Sequence, residues 1–281
     1  MKPNKIAVVT GANKGIGLAI VKGLCEQYDG KVYLTARSVT NGENAVTKLR
    51  ESGLDPWFHQ LDVCDQNSIN AFRDYIKFHE GGIDILINNA GIYVDKLPIP
   101  IGERAKKSID GNYFSMLNVC NTLFPLLRPN AQVVNLSSSA GHLARIPSVE
   151  TQAKFRNCYL TIEKLNEYMN EYIEDCKNSR YIEKGWGELP YVVSKVGVSA
   201  LTILQQKKFD EESEQRNVSV NSVHPGYVCT DMTNSQGVMT TKEGAKAPIY
   251  LALGGHSLKG QYVWFNCEVI DWYGQSTPRK Y

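Results

Sequence analysis

The sequence predicts an α/β protein built on a doubly wound parallel sheet. Three observations carry this. Strand-like apolar runs alternate with helix-like segments along most of the chain; a glycine-rich turn separates the first run from an amphipathic segment; and Tyr191 and Lys195 stand four residues apart near the far end. Alternation of this kind means right-handed β-α-β units, with helices covering both faces of the sheet.

The first run, Ile6-Ala-Val-Val-Thr10, leads directly into Gly11-Ala-Asn-Lys-Gly15-Ile-Gly17 and then the helix-like Leu18 to Cys25. Glycines let backbone approach a pyrophosphate closely, and a helix start presents unpaired N–H groups to its charge. Gly11, Asn13, Lys14, Gly15, Ile16 and Gly17 are therefore candidate cofactor contacts in a Rossmann-type unit. The spacing is G-x-x-x-G-x-G, not the common G-x-G-x-x-G, and an ordinary tight turn is the alternative.

Further strand-like runs follow at Lys31–Ala36, Trp57–Asp62, Ile83–Asn88, Gln132–Ser137 and Ser219–His224, with Gly260–Phe265 as a candidate edge strand. Between Gly141 and Trp186 the rhythm breaks. There Ile162, Leu165, Met169, Tyr172, Ile173 and Cys176 recur at helical steps, opposite a face of Glu, Asn, Lys and Asp. The expectation is one domain over 1–281 with a helical insertion at about 142–187, placed before Tyr191, whose apolar stripe lies on the domain or on a partner.

The chain has 281 residues, 42% hydrophobic and 21% charged, with a net charge of +2, which describes a globular protein without a nucleic-acid surface. Its seven cysteines, Cys25, Cys64, Cys120, Cys158, Cys176, Cys229 and Cys267, are scattered without metal-ligand spacing and read as reduced thiols; no metal is expected. Neither a signal-like start nor a run of about 18 apolar residues is present, so the expected place is the cytoplasm, with no membrane partner.

Tyr191 and Lys195 share one helix face. A phenol with pKa near ~10 is a poor acid–base group at neutral pH, and a fixed positive charge beside it favours the phenolate. Ser138 follows the run Val133-Val134-Asn135-Leu136 and so sits at the carboxyl end of a strand, where open α/β sheets bind ligands. Ser137 and Ser139 leave that assignment open by one residue, and a plain serine-rich loop is the alternative. The second strand ends Leu34-Thr-Ala-Arg37-Ser38 with no acid to meet a ribose 2′-hydroxyl. Arg37 and Lys14 are cations suited to a 2′-phosphate, which favours NADPH over NADH; each is otherwise an ordinary surface residue.

Thr10-Gly-Ala-Asn-Lys-Gly-Ile-Gly17, Asn88-Asn-Ala-Gly91, Asn112, Ser138, Tyr191, Lys195 and Pro225-Gly226 together resemble the short-chain dehydrogenase/reductase family, across nearly the whole chain. Leu34-Thr-Ala-Arg37, Phe58-His-Gln-Leu-Asp62-Val63, Glu183-Lys-Gly-Trp186 and Pro225-Gly-Tyr-Val-Cys-Thr-Asp-Met232 are similar to its monomeric carbonyl reductase branch, as is the wide separation of 53 positions between Ser138 and Tyr191. The resemblance implies that Ser138, which the family's Asn-x-Ser-Ser-x-x-Gly pattern selects if Gly141 is its glycine, hydrogen-bonds the substrate carbonyl and that Tyr191 donates the proton. Lys195 would lower the Tyr191 pKa and bind the nicotinamide ribose, while Asn112 would hold a water behind it. An asparagine bonding its own helix backbone is the other reading of Asn112.

By the same resemblance Asn89, Ala90 and Gly91 line the adenine-ribose side, and Asp62 with Val63 meets the adenine, a solvated turn being the rival role for Asp62. Pro225, Gly226, Val228 and Thr230 would pass the nicotinamide carboxamide, and Tyr93, Ala140, Tyr227 and Met232 would line the substrate pocket. Tyr227 and His224 depart from the Trp and Cys often found in the branch, which puts any cysteine-linked glutathione effect in doubt. The activity implied is NADPH-dependent reduction of ketones, aldehydes or quinones by a monomer acting on small carbonyl compounds. A dedicated biosynthetic ketone reductase and a non-catalytic NADPH-binding sensor are the alternatives.

Overall fold

The computed structural model describes residues 5–212 and 216–278. Its strands are β1 (Ile6–Val9), β2 (Lys31–Ala36), β3 (Trp57–Gln60), β4 (Ile83–Asn88), β5 (Leu127–Leu136), β6 (Ser219–Val223), β7 (Tyr262–Val263) and β8 (Val269–Ile270). They form one sheet in the order β3-β2-β1-β4-β5-β6-β7-β8. Every pairing is parallel except β7 with β8. Building proceeds outward from β1 in one direction and from β4 in the other, so the crevice between their carboxyl ends is the switch point at which such sheets bind ligands.

The helices are α1 (Gly15–Gln27), α2 (Val39–Glu51), α3 (Gln66–His79), α4 (Ile101–Ile109), α5 (Ser115–Leu123), α6 (Val149–Arg156), α7 (Ile162–Lys177), α8 (Pro190–Asp210) and α9 (Thr241–Leu253). Alternate residues of β1 serve opposite faces: Ala7 and Val9 pack with Ile20, Leu24 and Leu251, while Ile6 and Val8 pack with Ile69, Phe72 and Phe209. Among the described residues no helix is long and apolar enough to cross a membrane.

The 141–186 segment is helical, as its periodicity predicts. Thr161 caps α7, accepting the Lys164 N–H, and Leu165, Met169, Tyr172, Ile173 and Cys176 are buried in a cluster with Val193, Val196 and Leu201 of α8. The stripe lies on this chain, between α4 and α8. Asp175, expected on the solvated face, is buried instead. Its carboxylate accepts the Trp186 indole N–H at 3.0 Å and stands 3.5 Å from Arg180, which offsets the cost of burial.

Two strand expectations change. Gly260–Phe265 narrows to β7, which is not the edge: the chain turns back through Cys267, at φ 70°, and β8 pairs outside it. β5 begins at Leu127, five residues before Gln132, through a polar Arg128-Pro129-Asn130 stretch that no apolar pattern marks.

Candidate active site

At the switch point the glycine turn rests on the end of β4. A Cβ on Gly11 would lie 2.9 Å from the Ala90 Cα, and one on Gly17 would strike the Asn89 amide and the Gly11 carbonyl, so both positions require glycine. Gly11 and Gly15 also have φ near +60°. The Asn89 side chain donates to the Thr10 and Gly11 carbonyls at 2.8 and 3.0 Å, and the Thr10 hydroxyl accepts the Asn89 and Ala90 N–H groups at 3.0 and 3.1 Å. The Asn89 amide therefore shapes the turn with both of its donors.

Helix α1 starts without a side-chain cap or an acidic residue in its first turn. Its free N–H groups and the glycine cradle fit a bound pyrophosphate. Asn13 and Ile16 are partly exposed on this turn, and the exposed Lys14 ammonium pairs across the cleft with Asp231 at 2.6 Å. Arg37 is exposed just past β2, where the Gln60 amide holds its carbonyl at 3.2 Å. The Asp62 carboxylate closes its own turn on the Cys64 N–H at 3.0 Å, and Val63 is partly buried beside the core.

Ser137 and Ser138 separate cleanly. The buried Ser137 hydroxyl lies 2.7 Å from that of Ser199 and donates to the Lys195 carbonyl at 3.3 Å. Ser138 is half-buried, and its hydroxyl is near enough to the Tyr191 phenol to draw that group's pKa down. Gly141 leaves the space that lets α8 approach, since a Cβ there would strike the Ser137 hydroxyl and lie 2.7 Å from the Lys195 carbonyl.

On α8, Tyr191 and Lys195 face the end of β5. The Lys195 ammonium donates to the Leu136 carbonyl at 2.8 Å and lies 5.8 Å from the Tyr191 ring centroid. The expected fall in the Tyr191 pKa is not what this arrangement gives. Desolvation pushes the phenol up to about 12, with Asp95 and Tyr93 adding to the rise and only the nearby Ser138 hydroxyl opposing it. Burial also pulls the Lys195 ammonium down to about 8. Desolvation outweighs the local charge pattern on both partners.

Asn112 sits in a π-turn, Asp110–Phe114, between α4 and α5. Its amide donates to the Ile92 carbonyl and the Ser194 hydroxyl, both at 3.0 Å, and accepts the Ile92 N–H at 2.7 Å. It thus joins the loop after β4 to α8 and does not bond its own helix. A Cβ on Gly91 would lie 3.1 Å from the Asn112 oxygen and 3.6 Å from the Lys195 ammonium, so Gly91 opens the space between them.

The substrate side is aromatic. Tyr93 meets Tyr191 edge to face with ring centroids 5.2 Å apart, and Tyr227 is close enough to Tyr93 to push its phenol up, after burial and Asp95. Ala140 donates its N–H to the Ser138 hydroxyl at 3.2 Å. Met232 is exposed on the turn Asp231–Thr233, which Thr230 caps; Thr230 also approaches to 3.5 Å of the position a Cβ on Gly15 would take. Beyond β6, Pro225 is buried and Gly226 adopts φ 91°. The Val228 side chain packs toward Gly244 of α9, and its carbonyl accepts the Thr233 hydroxyl at 2.8 Å. His224 packs on Trp264 and accepts the Gly226 N–H.

Sequence reasoning missed two residues here. Asp95 accepts the Tyr191 N–H, and Tyr262 of β7 donates its hydroxyl to the Ser138 carbonyl at 2.6 Å. Both act across 96 or more positions, beyond any local pattern.

The short-chain dehydrogenase profile matches residues 5–150. Carbonyl reductase (NADPH) 1 of Homo sapiens is 41% identical over 94% of this chain and 96% of its own. Carbonyl reductase (NADPH) 3 of Mus musculus is 42% identical over 89% and 91%. Among solved structures, salutaridine reductase of Papaver somniferum superposes with a TM-score of 0.84 at 30% identity, covering 94% of this chain and all of that one. With the glycine turn, Ser138, Tyr191 and Lys195 in place, this chain belongs to the short-chain dehydrogenase family.

Proposed function

We propose that this protein is an NADPH-dependent carbonyl reductase, a single NADP(H)-binding domain that reduces ketones, aldehydes or quinones. The observation that carries the reading is the convergence of Ser138, Tyr191 and Lys195 at the carboxyl end of β5, where the Lys195 ammonium donates to the Leu136 carbonyl 5.8 Å from the Tyr191 ring centroid. When bound, NADPH supplies the hydride. The glycine turn and the α1 start would hold its pyrophosphate, and Arg37 with Lys14 would meet its 2′-phosphate. A carbonyl oxygen seated between Ser138 and Tyr191 receives a hydrogen bond from one and a proton from the other. Burial keeps the phenol protonated at neutral pH, so the donor is charged with its proton before substrate arrives. Holding both partners in one cleft makes the transfer effectively intramolecular.

A monomer is the assembly this reading carries, supported by the insertion stripe that this chain buries itself. The cytoplasm fits the seven free cysteines. A dedicated biosynthetic ketone reductase is the second reading, favoured by the likeness to salutaridine reductase.

Nicotinamide absorbance of the purified protein with NADPH tests this on addition of menadione, isatin and simple aldehydes, repeated with NADH. Rapid oxidation of NADPH in preference to NADH is expected, with Tyr191→Phe binding NADPH normally and losing turnover. Oxidation of none of these despite NADPH binding moves the weight to one narrow ketone; a Phe variant at near-normal rate removes Tyr191 from the mechanism.

A further inference from the structure

The loop leaving β4 touches Tyr191 twice. The Tyr93 ring packs against the Tyr191 ring at an interplanar angle of 80°. Two residues later, the Asp95 carboxylate accepts the Tyr191 backbone N–H through its two oxygens, at 3.2 and 3.3 Å. Asp95 is only 7% exposed, and Arg104 of α4 anchors it by donating to its backbone carbonyl at 2.6 Å.

Helix α8 needs an outside acceptor at this point. Its N-cap, Leu189, has no side-chain acceptor, and its first residue, Pro190, has no N–H. The Val192 and Val193 N–H groups both return to the Leu189 carbonyl. Tyr191 is left as the first donor of the helix, and Asp95 takes it from 96 positions away. A carboxylate there also faces the positive end of the helix dipole.

We infer that Asp95 is a positioning residue for the reduction: it anchors the start of α8, so that the Tyr191 ring is held between Tyr93 and Ser138, and it places one negative charge beside the proton donor. Asp95 touches neither substrate nor cofactor in this role, which rests on Tyr191 being the donor. The groups around the pair are few. Facing Asp95 are Arg104 from α4, Tyr172 from α7 and Tyr93 from its own loop. Facing the phenol are Ser138, Lys195 and Tyr262. Of the charges, Asp95 is the one that favours the protonated phenol, in the same direction as burial. Burial raises the pKa of Asp95 itself, opposed by the Tyr191 N–H and Arg104.

Asp95→Asn keeps the shape and one acceptor oxygen but removes the charge; Asp95→Ala removes both. Ring-labelled tyrosine NMR, with the Tyr191 signal assigned by its loss in Tyr191→Phe, reads the phenol without turnover. Carbonyl reduction is followed in parallel as a pH profile, with NADPH affinity by fluorescence. The expected result for Asp95→Asn is a Tyr191 titration moved to lower pH, the alkaline limb of kcat moved with it, and an unchanged NADPH Kd. Asp95→Ala should lose kcat by a further factor of roughly ten, the size of one anchoring hydrogen bond. An unmoved Tyr191 titration in Asp95→Asn overturns the inference, as does wild-type kcat in Asp95→Ala. A moved titration in a protein that reduces no carbonyl compound supports the effect of Asp95 on Tyr191 and refutes the reductase reading instead.

Discussion

Lys14, on the glycine turn, and Asp231, on the turn after β6, lie 217 positions apart in the chain and 2.6 Å apart in space. The pair ties together the two segments that flank the cofactor cleft. Both side chains are well exposed, at 67% and 76%, so the pair adds little stability and its ammonium is readily given up to a phosphate. Arg37 forms no ion pair among the described residues.

Selection of NADPH should therefore rest more on Arg37 than on Lys14. Arg37→Ala is expected to weaken NADPH binding about tenfold or more while leaving NADH nearly unchanged, because a planar fork to the 2′-phosphate is lost. Lys14→Ala should cost less, and Asp231→Asn should tighten NADPH by freeing Lys14. Fluorescence titration with both cofactors measures this; equal losses of NADPH and NADH in Arg37→Ala would place Arg37 away from the 2′-phosphate.

The two neighbouring serines should behave differently. Ser138 faces the phenol, so Ser138→Ala is expected to lower kcat by about 10²–10³ with little change in unfolding temperature. Ser137 bonds Ser199 and the Lys195 carbonyl inside the protein, so Ser137→Ala should lower the unfolding temperature and keep most of kcat. Steady-state kinetics and calorimetry on both variants decide it, and a reversed pattern would move the substrate contact to Ser137.

What the sequence made legible was local. The alternation along β1 and the glycine turn follow from spacing alone, and Gly141 was readable as the mark that selects Ser138. The charge effect of Lys195 on Tyr191 was also read from spacing, and there the local pattern misled: Lys195 is buried and Tyr191 half-buried, and desolvation decides the direction for each. Asp95, Tyr262 and the Lys14–Asp231 pair join residues across most of the fold. Such contacts depend on how the units stack, which no window of sequence records.

The insertion predicts a solution mass. Leu165, Met169 and Tyr172 are fully buried within one chain, which leaves the centre of that stripe no apolar surface to share. Light scattering at micromolar concentration should give a mass near 31.4 kDa. A mass near twice that value would reject the monomer and call for another surface.

Lys195 should leave a signature in stability as well as in rate. The residue is 4% exposed, and burial pulls its ammonium down to about 8 from an ordinary value of 10.5. Between those two values the unfolded chain binds more protons than the folded one, so this group makes stability rise with pH from about 8 to about 10.5. Below that window the native ammonium carries the full cost of its burial, on the order of 3 kcal/mol. Lys195→Met removes the charge and keeps the length; the Leu136 carbonyl loses its partner, which returns about 1–3 kcal/mol of that gain. Thermal unfolding of both proteins at pH 7 and pH ~10 reads the difference, within the window set by the shift. The variant is expected to be inactive, at least as stable as the wild type at pH 7, and to lose that advantage at the higher pH. Stability curves that stay parallel would mean that Lys195 is not held as a buried ammonium.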